Sequence, residues 1–233
     1  GLKEEDFVTA DLTLVPAHKP RDVGIDNSMV AAYGHDDRAS SFALLESILE
    51  IEKPKHTAVA VFYDKEEIGS YGNTGAGAFV LETYVQNVMD SLKEKGTALQ
   101  ALGKSKMLSA DVTDAVDPKF KEFFDASNAN ILGYGVSLDK YGGAYGKSGT
   151  VDTSAEYVSE LRQLLNKNKI PWQTGELGKV DDGGGGTIAV YMARFGVDVV
   201  DIGPPVLAMH SPYELISKAD LYCSYLVYKA FLE

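Results

Sequence analysis

The chain has 233 residues, 45% of them hydrophobic, so it can bury a core and falls within the size of one domain or one domain with a small appendage. With 34 acidic against 22 basic residues, a net charge of −12 and no Lys/Arg cluster, its surface should repel phosphate backbones and anionic lipid heads, which disfavours nucleic-acid and membrane partners. A lone cysteine, Cys223, excludes an internal disulfide and a thiolate zinc cluster, and no apolar run reaches the roughly 18 residues that span a bilayer, so a reducing, cytoplasmic location is expected.

Phe7 to Val15 alternate around Leu12 and Leu14 before Pro16, which predicts a strand, and Ala17 to Gly24 read as a polar loop. Gly34-His35-Asp36-Asp37-Arg38 then precedes Phe42, Leu45, Ile48 and Leu49, whose spacing predicts an amphipathic helix with both aspartates at its start. Acids at a helix N-terminus are favoured by about 0.3–1 kcal/mol, so capping alone explains one of them. Thr57 to Tyr63 is a continuous run of small, β-branched and aromatic residues, the pattern of a parallel strand covered on both faces. It leads directly to Glu66 and Glu67, at the kind of strand end where open α/β folds bind ligands. Neighbouring acids on a short turn point different ways, so one can hold a metal while the other faces a water.

A glycine-punctuated turn, Gly69 to Gly75, leads into a helix predicted from about Ala76 to Lys95. Lys106 to Ala110 reads as a second buried strand ended by Asp111, and Ile131 to Val136 as a third. Gly146-Lys147-Ser148 is not a phosphate-cradling loop, because the position five before Gly146 is Tyr141 and not glycine. Thr153 and Glu156 predict a capping box for a helix reaching about Asn166, followed by a short strand at Trp172 to Thr174. Gly183 to Gly186 precede a helical run, Thr187 to Phe195, and allow either close approach of backbone amides to a ligand or simply a tight turn. Val197 to Ile202 is the last clear strand. The chain resumes at Val206 to Met209, delivers His210-Ser211-Pro212-Tyr213-Glu214, and ends in a helix capped by Ser217 with Asp220 three positions on. Alternation of apolar strands and helices from Asp36 onward predicts an α/β, three-layer sandwich around a mixed, mainly parallel sheet. Residues 1–30 are expected to be a peripheral trailing segment of an accessory part, and 31–233 the catalytic domain.

Each carboxylate alone has an ordinary explanation, yet Asp36, the pair Glu66 and Glu67, Asp111 and His210 all fall at strand ends or helix starts. Together they are an inventory of metal ligands. Oxygen donors with one imidazole suit zinc, cobalt or manganese, and the number of carboxylates favours two ions sharing a bridging aspartate over one structural zinc.

The residues that carry a resemblance are Asp11-Leu12 with Val15-Pro16-Ala17, Arg21-Asp22-Val23-Gly24, Gly34-His35-Asp36-Asp37-Arg38 and Glu66-Glu67-Ile68-Gly69-Ser70. Leu108-Ser109-Ala110-Asp111, Trp172 to Gly178, Asp182 to Thr187 and Met209 to Glu214 continue it over nearly the whole chain. In these the chain resembles the aspartyl and vacuolar-type aminopeptidases, dinuclear zinc exopeptidases. The resemblance implies that Asp36 bridges two metal ions, that Glu67 and His210 complete one, that Asp111 ligates the other, and that Glu66 is the general base. It further implies peptide substrates with a free N-terminus and a homo-oligomer, a dodecamer in the family. The family's remaining ligand, a histidine in an N-terminal His-x-Asp motif, has no counterpart here, so the chain resembles the C-terminal part of such an enzyme. Asp111 is followed by Thr113, Asp114 and Asp117 where the aspartyl-specific branch has histidines, which leaves acidic and neutral or leucine-type preferences both open. A catalytically incomplete assembly module, or a dinuclear deacylase or carboxypeptidase, are the competing expectations.

Overall fold

The computed structural model describes every residue except 147 and 150. A short helix α1 (Glu5–Val8) precedes strands β1 (Arg21–Val23) and β2 (Met29–Ala32) and helix α2 (His35–Leu49). After a single tight helical turn at Glu66–Ile68 come α3 (Val80–Leu92), α4 (Ala98–Leu102), β3 (Lys106–Ser109) and β4 (Thr113–Asp114). A second tight turn at Lys121–Phe123 leads to β5 (Val136–Asp139), α5 (Ala155–Lys167), β6 (Trp172–Thr174) and α6 (Ala189–Ala193). The chain ends with β7 (Asp198–Gly203), β8 (Pro205–Leu207), β9 (Glu214–Ser217) and α7 (Lys218–Leu232).

The expected α/β architecture with a mixed sheet is present. Four strands run in the order β3-β7-β5-β6, with β3/β7 and β5/β6 parallel and β7/β5 antiparallel. In β7, Val200 and Ile202 pack with Tyr157 and Leu161 of α5 and Val227 of α7, whereas Val199 packs with Leu81 of α3, Leu102 of α4 and Met192 of α6. Helices thus cover both faces, which is why the strand is apolar without alternation.

A second sheet, β1-β2-β9-β8-β4, is antiparallel except for β8/β4, and its Val206 and Ile216 pack against Ala39 of α2. Two of the short crossovers between the sheets are β3 to β4 through Asp111 and β7 to β8 through Gly203 and Pro204. They run side by side: the Thr113 amide donates to the Pro204 carbonyl at 3.2 Å. A Cβ at Gly203 would lie 1.8 Å from the Asp111 carbonyl oxygen, so the approach requires glycine.

Several local expectations are corrected. Thr57 to Tyr63 is not a paired strand: among the described residues no backbone hydrogen bond joins 57–63 to a neighbour, and Val59 and Phe62 are exposed, while Val61 and Tyr63 pack against the cluster beneath α3 and α6. Strand composition reports what fits a pleated, half-buried surface, but a strand also needs a neighbouring edge, and the described residues provide none here. Phe7 to Val15 likewise forms α1 and an exposed, unpaired segment. Helix α2 forms as predicted but buries Ala39, Ala43 and Ser47, four residues apart, and leaves Phe42, Leu45 and Leu49 exposed. The small side chains let α7 approach closely, and Ser47 Oγ lies 2.9 Å from the Tyr225 carbonyl oxygen. The strand expected from Ile131 begins only at Val136, because Gly133 and Gly135 adopt φ of +89° and +98° and donate their amides to the Asp220 carboxylate. The cap of α5 is Ser154, whose Oγ accepts from the Tyr157 amide, while Thr153 Oγ1 donates to the Val199 carbonyl. Ser217 caps α7 as expected. Strands β1, β2 and β9 were not anticipated. The Gly146-Lys147-Ser148 reading depends on Lys147, which lies outside the described residues. Among the described residues no helix is long and apolar enough to cross a membrane.

Candidate metal centre

Four chain segments converge at the seam between the sheets. Asp36 follows β2 at the start of α2, where Gly34 in the left-handed region and non-helical dihedrals at Asp36 and Asp37 delay the regular helix. Glu66 and Glu67 occupy a tight turn entered through Lys65 and left through Gly69, both left-handed. That turn is fixed locally: the Asp64 carboxylate accepts the Lys65 amide at 2.9 Å, and the Ser70 amide donates to the Lys65 carbonyl at 2.7 Å. Asp111 lies in the crossover from β3 to β4, and His210 in the loop between β8 and β9 with φ of +62°. A non-glycine residue held there marks a backbone kept in place by its surroundings.

His210 Nε2 lies 2.9 Å from Asp36 Oδ2 and 3.2 Å from Glu67 Oε2. Donors on a tetrahedral zinc ion with bonds of about 2.0–2.1 Å are separated by roughly 3.3 Å, so these three groups already have the spacing of one coordination shell. Asp36, Asp37 and Asp111 form a second group whose donor atoms all lie within 4.8 Å of one another, sharing Asp36 with the first.

The electrostatics fit cations. Burial, followed by the charge of Glu67, pushes Asp36 up to about 7. Burial also raises Asp37 and Asp111 well above the usual carboxylate range, with the neighbouring aspartates adding to it. Asp37 Oδ1 is buried without a hydrogen-bond partner. An unpartnered buried carboxylate oxygen among repelling acids is costly alone and favourable beside a divalent ion. Glu66 is raised by burial and then by Glu67, which leaves it closer to a base that works near neutrality. Behind Asp111 lies a cavity lined by Asp139, Tyr141, Leu177, Thr187 and Asp201.

All five residues singled out from the sequence meet at this seam: Asp36, Glu67 and His210 as one group, Asp111 with Asp36 as the other, and Glu66 beside Glu67. His35 does not join them, since its Nε2 lies 3.0 Å from the Val30 carbonyl oxygen. Two residues escaped sequence reasoning. Asp37, at a helix start where capping explains one acid of the pair, completes the group with Asp36 and Asp111. Glu214, on β9, accepts the Asp36 amide at 3.1 Å and the His210 amide at 2.8 Å. The only signal for it was its position four residues after the histidine.

A profile of the aminopeptidase I zinc metalloproteases (M18) matches residues 1–232. A probable M18 family aminopeptidase 1 from Thermotoga maritima is 47% identical over 236 residues, covering 100% of this chain and 52% of its own length. The crystal structure of aminopeptidase I from Clostridium acetobutylicum superposes with a TM-score of 0.93 at 46% identity, over 100% of this chain and 50% of that one. A Saccharomyces relative, solved as a dodecamer, shares the fold with a TM-score of 0.76 at 23% identity, over 92% of this chain and 48% of that one. The chain spans about half the length of the curated relatives it matches.

Proposed function

The chain belongs to the aminopeptidase I zinc metalloprotease family, and from that premise we propose that it carries the main part of a dinuclear aminopeptidase site releasing N-terminal residues from peptides. The observation that carries the reading is the convergence of the Asp36, Glu67 and His210 donor atoms at spacings that one ion could share, with Asp111 and Asp37 grouped around the same Asp36. Asp36, Glu67 and His210 would hold one ion, and Asp36 with Asp111 the other, zinc being the first choice and cobalt or manganese also suited. Divalent ions held by these residues would supply Lewis-acid polarisation of a scissile carbonyl and acidify a water near neutral pH. Glu66 would accept a proton from the attacking water as its oxygen adds to the carbonyl, and return it to the departing amine as the C–N bond breaks. Relatives named as aminopeptidases support an aminopeptidase over a carboxypeptidase.

A specific observation supports a second part of the proposal: the 233-residue chain works within a longer enzyme. Among the described residues, Thr57 to Tyr63, which leads into Glu66, has no strand partner, and the Asp111 group contains carboxylates but no imidazole. Residues 1–30 would be the trailing part of an accessory segment, residues 31–233 the catalytic domain, and the assembly a homo-oligomer, a dodecamer as in the yeast relative, acting in the cytoplasm. Metal analysis after dialysis and hydrolysis of aminoacyl anilides test both parts. The chain alone should retain one ion firmly and the second weakly, and should hydrolyse poorly. Adding an N-terminal half of the kind the relatives carry should restore the second ion and activity towards free, not N-acetylated, substrates. Two ions held tightly by the chain alone would overturn the incomplete-half reading, and activity on N-acetylated substrates the aminopeptidase reading.

A further inference from the structure

Glu214 is 2% exposed and has no basic partner among the described residues. A buried carboxylate without a counter-charge is costly, so its remaining interactions have to account for it. They are two backbone amides, one on each of two metal-site residues far apart in sequence. Oε2 accepts from Asp36 N at 3.1 Å and Oε1 from His210 N at 2.8 Å. On β9, Glu214 pairs with Ala32 of β2, so its side chain starts from the strand that leads into Asp36.

We propose that Glu214 is a positioning residue which, by clamping the Asp36 and His210 amides with its two carboxylate oxygens, sets the spacing of the two donors these residues present to the metal. The inference rests on the metal-centre reading above. The loop it holds needs such a clamp: Ala208 and His210 both have left-handed φ, +58° and +62°, and the Ser211 amide returns to the Ala208 carbonyl at 3.0 Å. Left-handed conformations of non-glycine residues persist only where the surroundings fix them. No neutral side chain of this length does the same work, because glutamine offers one acceptor oxygen and turns an NH2 group towards the other amide.

The test is zinc and cobalt affinity of the 233-residue protein by calorimetry, with the visible spectrum of the cobalt form and metal-free thermal stability measured alongside. Glu214→Gln should weaken the first ion by about 10–100-fold, the range for losing a group that orients a ligand, and should change the cobalt band. Ser217→Ala, at the other end of the same strand, removes the α7 cap and lowers metal-free stability, but should leave affinity and spectrum unchanged. If Glu214→Gln does not fold, Glu214→Asp, whose shorter stem reaches only one amide, carries the same expectation. A Glu214 variant that loses stability but binds with unaltered affinity and spectrum overturns the positioning role and leaves the metal centre standing. An unaltered chain that binds no ion overturns the metal centre first, and this inference with it.

Discussion

Asp139 offers a measurement of what the acidic seam costs the fold without metal. It lies on β5, 9% exposed, with Thr113 Oγ1 2.7 Å from one carboxylate oxygen and Ser137 Oγ 2.5 Å from the other. Burial pushes it up to about 7 from 3.8, against the two hydroxyls that favour its charged form, and Asp201 adds to the rise. Because the folded value is raised, the folded chain binds more protons than the unfolded one between about pH 4 and pH 7, and stability falls as pH rises through that window. A rise from 3.8 to about 7 makes the loss through this one group at most ~4 kcal/mol. Asp139→Asn, which keeps the shape and cannot ionise, should be close to the parent near pH 4 and more stable than it at pH 8. Urea unfolding of the metal-free protein at half-unit steps from pH 4 to 8 reads this directly. Asp201, pushed up to about 6 by burial, keeps part of the slope in the variant. A variant whose stability runs parallel to the parent's over the whole range would refute the reasoning.

In the complete enzyme, Glu66→Gln should lower turnover by about 10²–10⁴-fold at nearly unchanged metal content, because it removes a proton acceptor and no ligand. Glu67→Gln should lose metal first; identical metal content and turnover in the two variants would remove the division between base and ligand. Gly203→Ala should cost at least about 1–3 kcal/mol, since its Cβ would meet the Asp111 carbonyl oxygen at 1.8 Å and the crossover carrying Asp111 would have to move. An unshifted melting temperature would contradict the side-by-side packing of the two crossovers.

Local chemistry made much of the site legible. Acids and a histidine immediately after apolar runs stand out because apolar runs are buried and charged groups beside them need a reason. The sequence therefore marks Asp36, Glu66, Glu67, Asp111 and His210 before any fold is known. What it does not carry is pairing. Thr57 to Tyr63 has the composition of a strand and lacks a neighbour, whereas Met29 to Ala32 and Glu214 to Ser217 are too short to signal a strand and pair with each other. The register of that pair joins residues 182 to 188 positions apart, so a reading confined to short windows misses it. Helix α2 shows the same limit on one element: period 3.6 is visible, but a seam of Ala39, Ala43 and Ser47 becomes the buried face only once α7 is there to pack on it.

The role of Glu214 depends on long-range pairing in the same way, and it shows what the second sheet does for the chemistry. The four-stranded sheet presents Asp111 at the end of β3, and the five-stranded sheet presents Asp36 after β2 and His210 before β9. Donors mounted on two sheets keep their spacing only if the sheets are tied. Here the tie between the sheets is the pair of crossovers, joined through Thr113 and Pro204, while the Glu214 carboxylate binds the two donor segments of the five-stranded sheet to each other. An ion bound by Asp36, Glu67 and His210 would add a further tie, joining the Glu67 turn to the five-stranded sheet. Metal binding should therefore protect the amides of the 208–213 loop and the 66–70 turn together against hydrogen exchange, in one cooperative step. Protection confined to either segment would mean that the two are not joined through a common ion.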